Sequence, residues 1–240
     1  MNQFIFVVPM FNASTTLGRM MHSVAGQSYD RWRVVLIDDV SDRSHLDACA
    51  RTIGQFRDMG FGSQIKVIIN DRKMWEVANV LRGLQECGPD DIVCRLDADD
   101  WLTDLDALAI IDNAYEQTGC DLLWTAHRWG FSDKNISGPL PEGTDPYKHP
   151  WVTSHMKTFR KRLLDDVDDV NYRGPDGEYI RRAGDQAVYL PALRRSKKRI
   201  FLPRVMYHYT IDDRPETYQT DDARVQKSEA DFLRTRGFVG

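Results

Sequence analysis

The first hundred residues alternate short apolar runs with segments of helical periodicity, and this alternation constrains the fold more than any other feature. Apolar runs of strand length lie at residues 4–8, 34–37, 65–69 and 92–96. Apolar residues at helical spacing fill the intervals, over residues 17–24, 45–56 and 75–86. Strands that alternate with helices form a parallel sheet with right-handed crossovers and helices on both faces. The sequence therefore predicts an α/β fold with a mostly parallel, twisted sheet.

The second half of the sequence has a less regular pattern. Its periodicity predicts, in chain order, a helix over 105–115, a strand over 121–126, helices over 158–167 and 185–195, a strand over 205–209 and a polar terminal helix over 222–236. Residues 130–150 are rich in Gly, Pro, Asp, Ser and Lys without periodicity, which indicates a loop. Loops of this length inside a domain are usually functional or disordered.

Composition excludes several classes of protein. Of the 240 residues, 42% are hydrophobic and 28% are charged, which is typical of a globular chain and not of a disordered or fibrous one. The net charge of −4 argues against a globally basic nucleic-acid binder. No apolar run is long enough for a membrane helix, so we expect no stable membrane span. The four cysteines have neither CxxC nor zinc-site spacing, and we expect free thiols in a reducing cytoplasm.

An acidic turn follows the fourth apolar run, at Asp97-Ala98-Asp99-Asp100. Two carboxylates one residue apart at a strand end can both reach one hard cation, such as Mg²⁺ or Mn²⁺. The alternative is a solvated turn that caps a helix starting near Thr103. Ligands of parallel sheets bind outside the carboxyl ends of the strands, so the position of this turn favours the metal site.

A second acidic pair, Asp38-Asp39, ends the second apolar run. An acid at this point of a parallel sheet can accept hydrogen bonds from a ribose or a base, and the alternative is helix capping. The dinucleotide fingerprint GxGxxG is absent after the first run, and no GxxxxGK[ST] occurs. Nicotinamide cofactors and P-loop chemistry are therefore disfavoured.

These motifs together resemble the family 2 glycosyltransferases of the GT-A fold. The resemblance covers roughly residues 4–102 and rests on VVPMFN at 7–12, VLIDDVSD at 35–42, Asn70, Asn79 with Gly83-Leu84, and LDADDWL at 96–102. Residues 151–160 and 184–187 resemble acceptor-side motifs of some members more loosely. The chain departs from the family pattern twice. Val40 replaces the usual glycine after the paired aspartates, and Gly184 stands where an acid often precedes Asp185.

The resemblance implies a fold and an activity. The fold is a single GT-A (Rossmann-like) domain, with a nucleotide-sugar-binding half at 1–102, an acceptor-binding and catalytic half at 103–212, and a helical tail at 213–240. The activity is metal-dependent, inverting transfer of a sugar from a nucleotide-diphosphate sugar to an acceptor hydroxyl. Uridine is the commonest donor base in the family, and Mn²⁺ or Mg²⁺ is the implied cofactor.

The resemblance also implies roles for donor-side residues. Asp39 would hold the nucleoside with Pro9, Phe11 and Asp38, and Asn79 would contact the donor.

The implied metal site comprises three residues. Asp97 and Asp99 would carry the metal that neutralises the diphosphate, and Asp97 would also contact the donor. His208 would add a third metal contact, although a lone histidine is more often structural.

Asp185 is the implied general base, because it precedes an apolar helical pattern and would open a buried helix. The acidic run at 165–169 is its rival, and such a run is usually a solvated face. His155 and Lys157 would contact the diphosphate or the acceptor, and the alternative is that they begin a polar helix.

Two other functions and several acceptors stay open. A sugar-phosphate nucleotidyltransferase would also use strand-end acids, but it would need a Gly-rich basic loop where residues 11–14 read FNAS. A non-catalytic nucleotide-sugar or carbohydrate-binding relative would be expected to lose an acid of the metal pair or the general base. Asp97, Asp99 and Asp185 are all present. The acceptor could be a glycan, a small molecule, a protein or a modified nucleic acid. The basic run at 194–199 could bind a phosphate-rich acceptor or simply end a helix.

Overall fold

A mixed β-sheet forms the centre of the molecule. The computed structural model describes residues 1–211 and 221–240, and within them eight strands have the order β3-β2-β1-β4-β7-β6-β8-β5. The strands are β1 Phe4–Met10, β2 Trp32–Asp38, β3 Ile65–Ile69, β4 Ile92–Arg95, β5 Trp101–Leu102, β6 Leu122–Trp129, β7 Lys157–Arg160 and β8 Arg199–Tyr209. The pairings among β3, β2, β1 and β4 are parallel, as is the pairing of β6 with β8. The predicted α/β fold is confirmed.

Helices cover both faces of the sheet. They are α1 Leu17–Ala25, α2 Arg43–Phe56, α3 Trp75–Leu84, α4 Ala107–Thr118, α5 Gly184–Arg195 and α6 Asp221–Arg236. Alternate residues of β1 point to opposite faces, as strand geometry requires. Phe6 packs in the cluster with α1, α2 and α4, whereas Val7 packs in the cluster with α3, α5 and α6. A Cβ atom at Gly83 would lie 2.5 Å from Val7 Cγ1, so glycine allows α3 to approach the sheet closely.

The prediction of a helix over 158–167 is wrong. Residues Lys157–Arg160 form the central strand β7, which is antiparallel to both β4 and β6, and Lys161–Leu164 form a 3₁₀ turn. Phe159 is completely buried in this strand. Pairing on both sides overrides the local helical pattern, because strand formation depends strongly on tertiary context. These antiparallel pairings, with that of β5 to β8, make the sheet mixed.

Other expectations can be compared directly with the structure. No helix or strand lies between β6 and β7, which agrees with the predicted loop at 130–150. All four cysteines are buried with free thiols. Among the described residues, no helix combines the length and apolar character that a membrane crossing requires. The expected boundary between the second half and the tail, at residues 212 and 213, lies outside the described residues.

Candidate functional site

A cleft of about 880 Å³ lies at the carboxyl ends of the parallel strands. The ends of β1, β2 and β4, the start of α3, the segment before α5 and the first turn of α6 form its walls. Six residues predicted for the site line this cleft: Pro9, Phe11, Asp39, Asn79, Asp97 and Asp99. Parallel strands that end at one edge explain how residues far apart in sequence meet here.

Asp39 links β2 to the start of α3. Its Oδ1 accepts hydrogen bonds from the backbone N–H of Met74 at 2.7 Å and from Asn70 Nδ2 at 2.9 Å. Its Oδ2 accepts one from the Trp75 N–H at 3.0 Å and lies 3.3 Å from Lys73 Nζ. Burial raises the pKa of Asp39, but these hydrogen bonds lower it more, and the net direction is downward. Asp39 therefore stays ionised and fixes the first turn of α3 against the cleft.

An aromatic and cationic surface lies beside Asp39. Lys73 Nζ stands 3.2 Å from the ring centroid of Phe11, and the Arg182 guanidinium stands 4.8 Å from the Trp75 ring. Arg182 also pairs with Asp222 of α6 at 2.8 Å. A cation over an aromatic face is an attractive contact, and aromatic faces can stack on bases or sugars. This wall of the cleft can accept both a flat ring and negative charge.

The wall of the cleft at Glu76 and Asp97 carries a buried charge network around Arg95. Arg95 Nη2 lies 3.0 Å from Glu76 Oε1 and 3.4 Å from Asp97 Oδ1, and the Arg95 side chain is only 3% exposed. Burial, and then the charges of Asp185 and Asp99, raises the pKa of Asp97 to about 6, although Arg95 opposes the shift. Burial and Asp185 likewise raise the pKa of Glu76 to about 8. Negative charge is crowded at this wall, and a cation would relieve it.

Asp100 holds the acidic turn in place. Its Oδ2 accepts a 2.7 Å hydrogen bond from Tyr207 Oη, and its Oδ1 accepts a 2.7 Å bond from the Thr210 N–H. The Tyr207 hydroxyl also accepts a 3.3 Å bond from the Asp97 N–H. Asp100 is thus a buried support that connects the turn to β8, while Asp97 and Asp99 line the cleft.

Asp185 lies in the first turn of α5, where Lys157 holds its carboxylate. Lys157 Nζ stands 2.9 Å from Asp185 Oδ2, and His155 Nε2 stands 3.8 Å from the same atom. Burial would raise the pKa of Asp185, but the Lys157 charge and then His155 hold it well below its usual range. Asp185 keeps 30% of its side chain exposed.

The entry of α5 is fixed from α6. The Glu229 carboxylate accepts hydrogen bonds from three consecutive backbone N–H groups, those of Arg181, Arg182 and Ala183, at 3.1, 2.7 and 3.0 Å. These donors immediately precede α5, whose start would otherwise leave N–H groups unpaired. Two helices therefore cooperate to place Asp185.

Five predicted residues do not line the cleft, and Asp185, described above, is the first of them. Asp38 is 1% exposed and accepts hydrogen bonds from the N–H and hydroxyl of Ser41, so its carboxylate shapes a turn. His155 and Lys157 are buried on and beside β7 and contact Asp185. The expectation that they begin a helix is wrong, because Lys157 is in the sheet.

His208 is the fifth. Its ring stacks on Trp101 at 3.5 Å between centroids, and its Nδ1 accepts a hydrogen bond from Arg128 Nε at 3.2 Å. Burial, then Arg128 and Arg19, lowers the pKa of His208 to about 4. His208 therefore contacts Trp101 and Arg128 and does not line the cleft, and its role as a third metal ligand stays a prediction.

The remaining carboxylates, Asp97 and Asp99, are those that could hold a divalent cation. In residues 1–211 and 221–240, no three His, Cys, Asp or Glu side chains converge as a complete metal site. Mg²⁺ and Mn²⁺ at phosphate-binding sites commonly take only one or two protein carboxylates, and phosphate oxygens and water complete the shell. Asp97 and Asp99 fit that pattern, since both line the cleft beside a crowd of negative charge.

Sequence reasoning missed several residues of the cleft. Lys73, Trp75, Glu76, Arg181 and Arg182 line it, and none belongs to a motif singled out in the sequence. One backbone feature is also unexpected, since Trp75 has a φ of 64°, in the left-handed region. The sequence motifs identified the residues at the strand ends. Which helix and loop residues face those strand ends depends on tertiary packing, which the motifs do not contain. Of these residues, Glu76 could have been found from the sequence, because it is an acid in the first turn of a predicted helix.

Comparisons with known proteins bear on the fold and the family of the chain. A family model described as Glycosyl transferase family 2 matches residues 5–170. No curated protein sequence matches the chain. The crystal structure of S. aureus TarS 1–349 in complex with UDP-GlcNAc is similar, with a TM-score of 0.67, 16% identity, and coverage of 93% of this chain and 64% of that one. A second crystal structure of S. aureus TarS 1–349 has a TM-score of 0.65 at 18% identity, and the match covers 87% of this chain and 60% of that one.

A third similar structure is the mannosyltransferase PcManGT from Pyrobaculum calidifontis in complex with GDP-Man and Mn²⁺. Its TM-score is 0.60 at 14% identity, and the match covers 88% of this chain and 58% of that one. The chain thus spans roughly three fifths of the length of these relatives. The fold is therefore that of the GT-A glycosyltransferases. Since the family match covers more than half of the sequence, the chain belongs to glycosyl transferase family 2.

Proposed function

We propose that the protein is a metal-dependent, inverting glycosyltransferase that moves a sugar from a nucleoside-diphosphate sugar to an acceptor hydroxyl. The observation that carries the proposal is the meeting of Asp97, Asp99 and Glu76 on one cleft, with Asp185 next to Glu76 at the start of α5. Acidic groups from three separate parts of the sequence converge where a parallel sheet binds its ligands.

The donor is proposed to be a nucleotide sugar, with UDP-sugars first. TarS has been solved with UDP and with UDP-GlcNAc, and PcManGT with GDP-Man. In this chain, Phe11 and Trp75 offer aromatic faces, and Lys73 and Arg182 offer positive charge to a diphosphate. Asn79 and Pro9 line the same cleft.

The metal is proposed to be Mn²⁺ or Mg²⁺ held by Asp97 and Asp99. When bound, such an ion supplies charge neutralisation for the departing nucleoside diphosphate. The complex of PcManGT contains Mn²⁺. The crowding of carboxylates around Arg95 supports a cation at this position, because each unneutralised charge raises the pKa of Asp97.

Asp185 is proposed to be the general base. Lys157 at 2.9 Å stabilises its ionised form, so at neutral pH Asp185 carries the unprotonated carboxylate that a general base needs. The acceptor O–H bond breaks as its oxygen bonds to the anomeric carbon, and the proton passes to Asp185. The bond from that carbon to the diphosphate breaks on the opposite face, which inverts the configuration in one step.

Replacement of Asp99 by alanine tests the metal role. We expect Asp99→Ala to reduce the Mn²⁺-dependent release of UDP from UDP-GlcNAc by at least about 100-fold, because a metal-stabilised leaving group is worth several kcal/mol. The measurement is the initial rate of UDP release with Mn²⁺ and with a chelator. GDP, CDP and dTDP sugars are assayed in parallel.

Asp58→Ala is the matched control, because Asp58 is an exposed acid in the turn after α2, outside the cleft. It should behave as the unmodified protein does. Full Mn²⁺-dependent activity in Asp99→Ala would remove Asp99 from the metal site. Pyrophosphate release from UTP and a sugar phosphate would instead support the nucleotidyltransferase alternative.

A further inference from the structure

Glu76 fills the volume in which a side chain of residue 184 would lie. A Cβ atom at Gly184 would stand 2.3 Å from Glu76 Cδ and 2.4 Å from Glu76 Oε2. Cβ atoms do not approach other side chains this closely, so glycine at position 184 and the observed placement of Glu76 require each other. The carboxylate next to Asp185 is therefore that of Glu76 on α3, and not one from residue 184 of α5.

Glu76 is held firmly in this position. Its Oε1 accepts a 3.0 Å hydrogen bond from Arg95 Nη2. Arg95 is almost completely buried and also donates a 2.7 Å hydrogen bond to the carbonyl of Val7 on β1. Since Arg95 is fixed to the sheet, a displacement of Glu76 would leave a buried guanidinium without its partner, which is costly.

The second oxygen of Glu76 is available to a ligand. Glu76 lines the cleft with 29% of its side chain exposed. Across residues 1–211 and 221–240, Oε2 receives no hydrogen bond, although Oε1 does. Arg95 favours the ionised form of Glu76, and a cation at Asp97 and Asp99 would favour it further by offsetting the crowded negative charge that raises its pKa. In that form Oε2 can accept a hydrogen bond from a bound hydroxyl.

We propose that Glu76 is a second catalytic carboxylate, which accepts a hydrogen bond from the acceptor next to the O–H group that Asp185 deprotonates. The inference rests on the proposed function, since it needs an acceptor in this cleft. An acceptor that satisfies both carboxylates carries two O–H bonds close together, as neighbouring sugar hydroxyls or a water molecule do. The attacking oxygen gives its proton to Asp185, and Glu76 orients the acceptor without changing its own protonation.

Two single variants and one exchange test the proposal with water as the acceptor. In Glu76→Gln the amide oxygen can keep the Arg95 contact, while the amide NH₂ replaces Oε2. We expect the kcat for hydrolysis of UDP-GlcNAc with Mn²⁺ to fall about 10- to 100-fold, with unchanged UDP affinity by calorimetry. Glu86→Gln is the matched control, because Glu86 follows the same helix and pairs with Lys66 away from the cleft.

The exchange moves the carboxylate from one helix to the other. Glu76→Ala should lose activity, and Glu76→Ala with Gly184→Glu should regain at least about tenfold over Glu76→Ala alone, because the new side chain enters the vacated volume. Because a glutamate at position 184 could also restore the partner of Arg95, the structural role is tested separately by Glu76→Gln, whose amide oxygen keeps the Arg95 contact. Glu76→Gln within twofold of the unmodified enzyme, or a double variant no more active than Glu76→Ala, would overturn the proposal.

Thermal unfolding separates this inference from the proposed function. Gly184→Ala should lower Tm in the unmodified chain and leave it unchanged in the Glu76→Ala background, where the clash is absent. If the unmodified protein hydrolyses no nucleotide sugar, the proposed function fails and the catalytic role of Glu76 fails with it. The Tm values of the Gly184→Ala and Glu76→Ala variants would still show whether Glu76 lies against residue 184. If the protein is active and Glu76→Gln is equally active, the inference alone fails.

Discussion

Val40 occupies a backbone conformation that favours glycine. Its φ is 65°, which is unusual for a β-branched residue. The turn around it is held by hydrogen bonds from the Ser41 N–H and hydroxyl to Asp38 and from the Asn12 N–H to the Ser41 hydroxyl. The surrounding contacts fix the turn, and the valine adopts the strained conformation that results. The family pattern, with glycine at this position, has a direct physical reason.

Val40→Gly should therefore stabilise the protein. We expect the free energy of unfolding to rise by about 1 kcal/mol, because relief of left-handed strain exceeds the extra flexibility of glycine in the unfolded chain. Denaturant unfolding measures the change. Val40→Ala is the control and should gain less than half as much, since alanine keeps a Cβ atom. A glycine variant that is no more stable would show that the turn is relaxed with valine.

Individual site residues were predictable where they end a strand. Asp97 and Asp99 follow an apolar run, so their edge of the sheet could be anticipated. The position of Lys157 in a central strand could not, because a lysine there contradicts every local preference. Its burial makes sense only after Asp185 is seen 2.9 Å away, on an element far along the chain.

At the scale of elements, the strands β1–β4 were predictable to within two residues at each end, because each is a continuous apolar run. Such runs are typical of strands buried on both faces, although β3 lies at the edge of the sheet and is partly exposed. β7 was not, since residues 157–160 read Lys-Thr-Phe-Arg and its stability comes from its neighbours β4 and β6. β8 is longer than the predicted 205–209, because its first part pairs with β6. Long-range pairing has no local signature.

The attachment of α4 to the start of the chain gives a pH-dependent prediction. Asp112 accepts hydrogen bonds from the Asn2 N–H at 2.9 Å, from Asn2 Nδ2 at 2.7 Å and from Tyr29 Oη at 3.0 Å. Burial raises the pKa of Asp112, but these bonds lower it more, and the net direction is downward. A lowered pKa in the folded state contributes stability above the unfolded value and loses it as pH falls towards the folded one.

Asp112→Asn should lower the free energy of unfolding by about 1 kcal/mol at pH 7. The difference from the unmodified protein should shrink below about pH 4, where the unfolded carboxyl group is protonated. Denaturant unfolding between pH 7 and pH 3 tests both statements. Asp58→Asn, at an exposed acid, should show no difference at either pH. If the difference in the free energy of unfolding stays constant from pH 7 to pH 3, the lowered pKa of Asp112 is not its cause.

On the scale of the whole molecule, the cleft joins parts of both halves of the chain, so a ligand that fills it should stabilise the entire fold. We expect UDP with Mn²⁺, at about 100 times the dissociation constant, to add about 2.7 kcal/mol. For a chain of this size that corresponds to a rise in Tm of about 5–10 °C. Thermal unfolding with UDP, GDP, CDP and dTDP, each with and without Mn²⁺, measures it.

Asp99→Ala should lose the part of this stabilisation that depends on Mn²⁺ and keep the part that depends on the nucleotide alone. Asp58→Ala again serves as the control. If none of the four nucleotides raises Tm in the presence of Mn²⁺, the cleft does not bind a nucleoside diphosphate, and the proposed donor class is wrong.

The pairing of β5 with β8 has a consequence for the way the molecule matures. β5 directly follows the acidic turn, and Tyr207 and Thr210 bind Asp100 from the far end of the sheet. A nascent chain or a proteolytic fragment that stops at residue 102 contains the amino-acid sequence of the acidic turn but lacks β8, which holds the turn in its conformation. Such a fragment should not capture a divalent ion there, and competence to do so should arise only when residues 199–210 have been added.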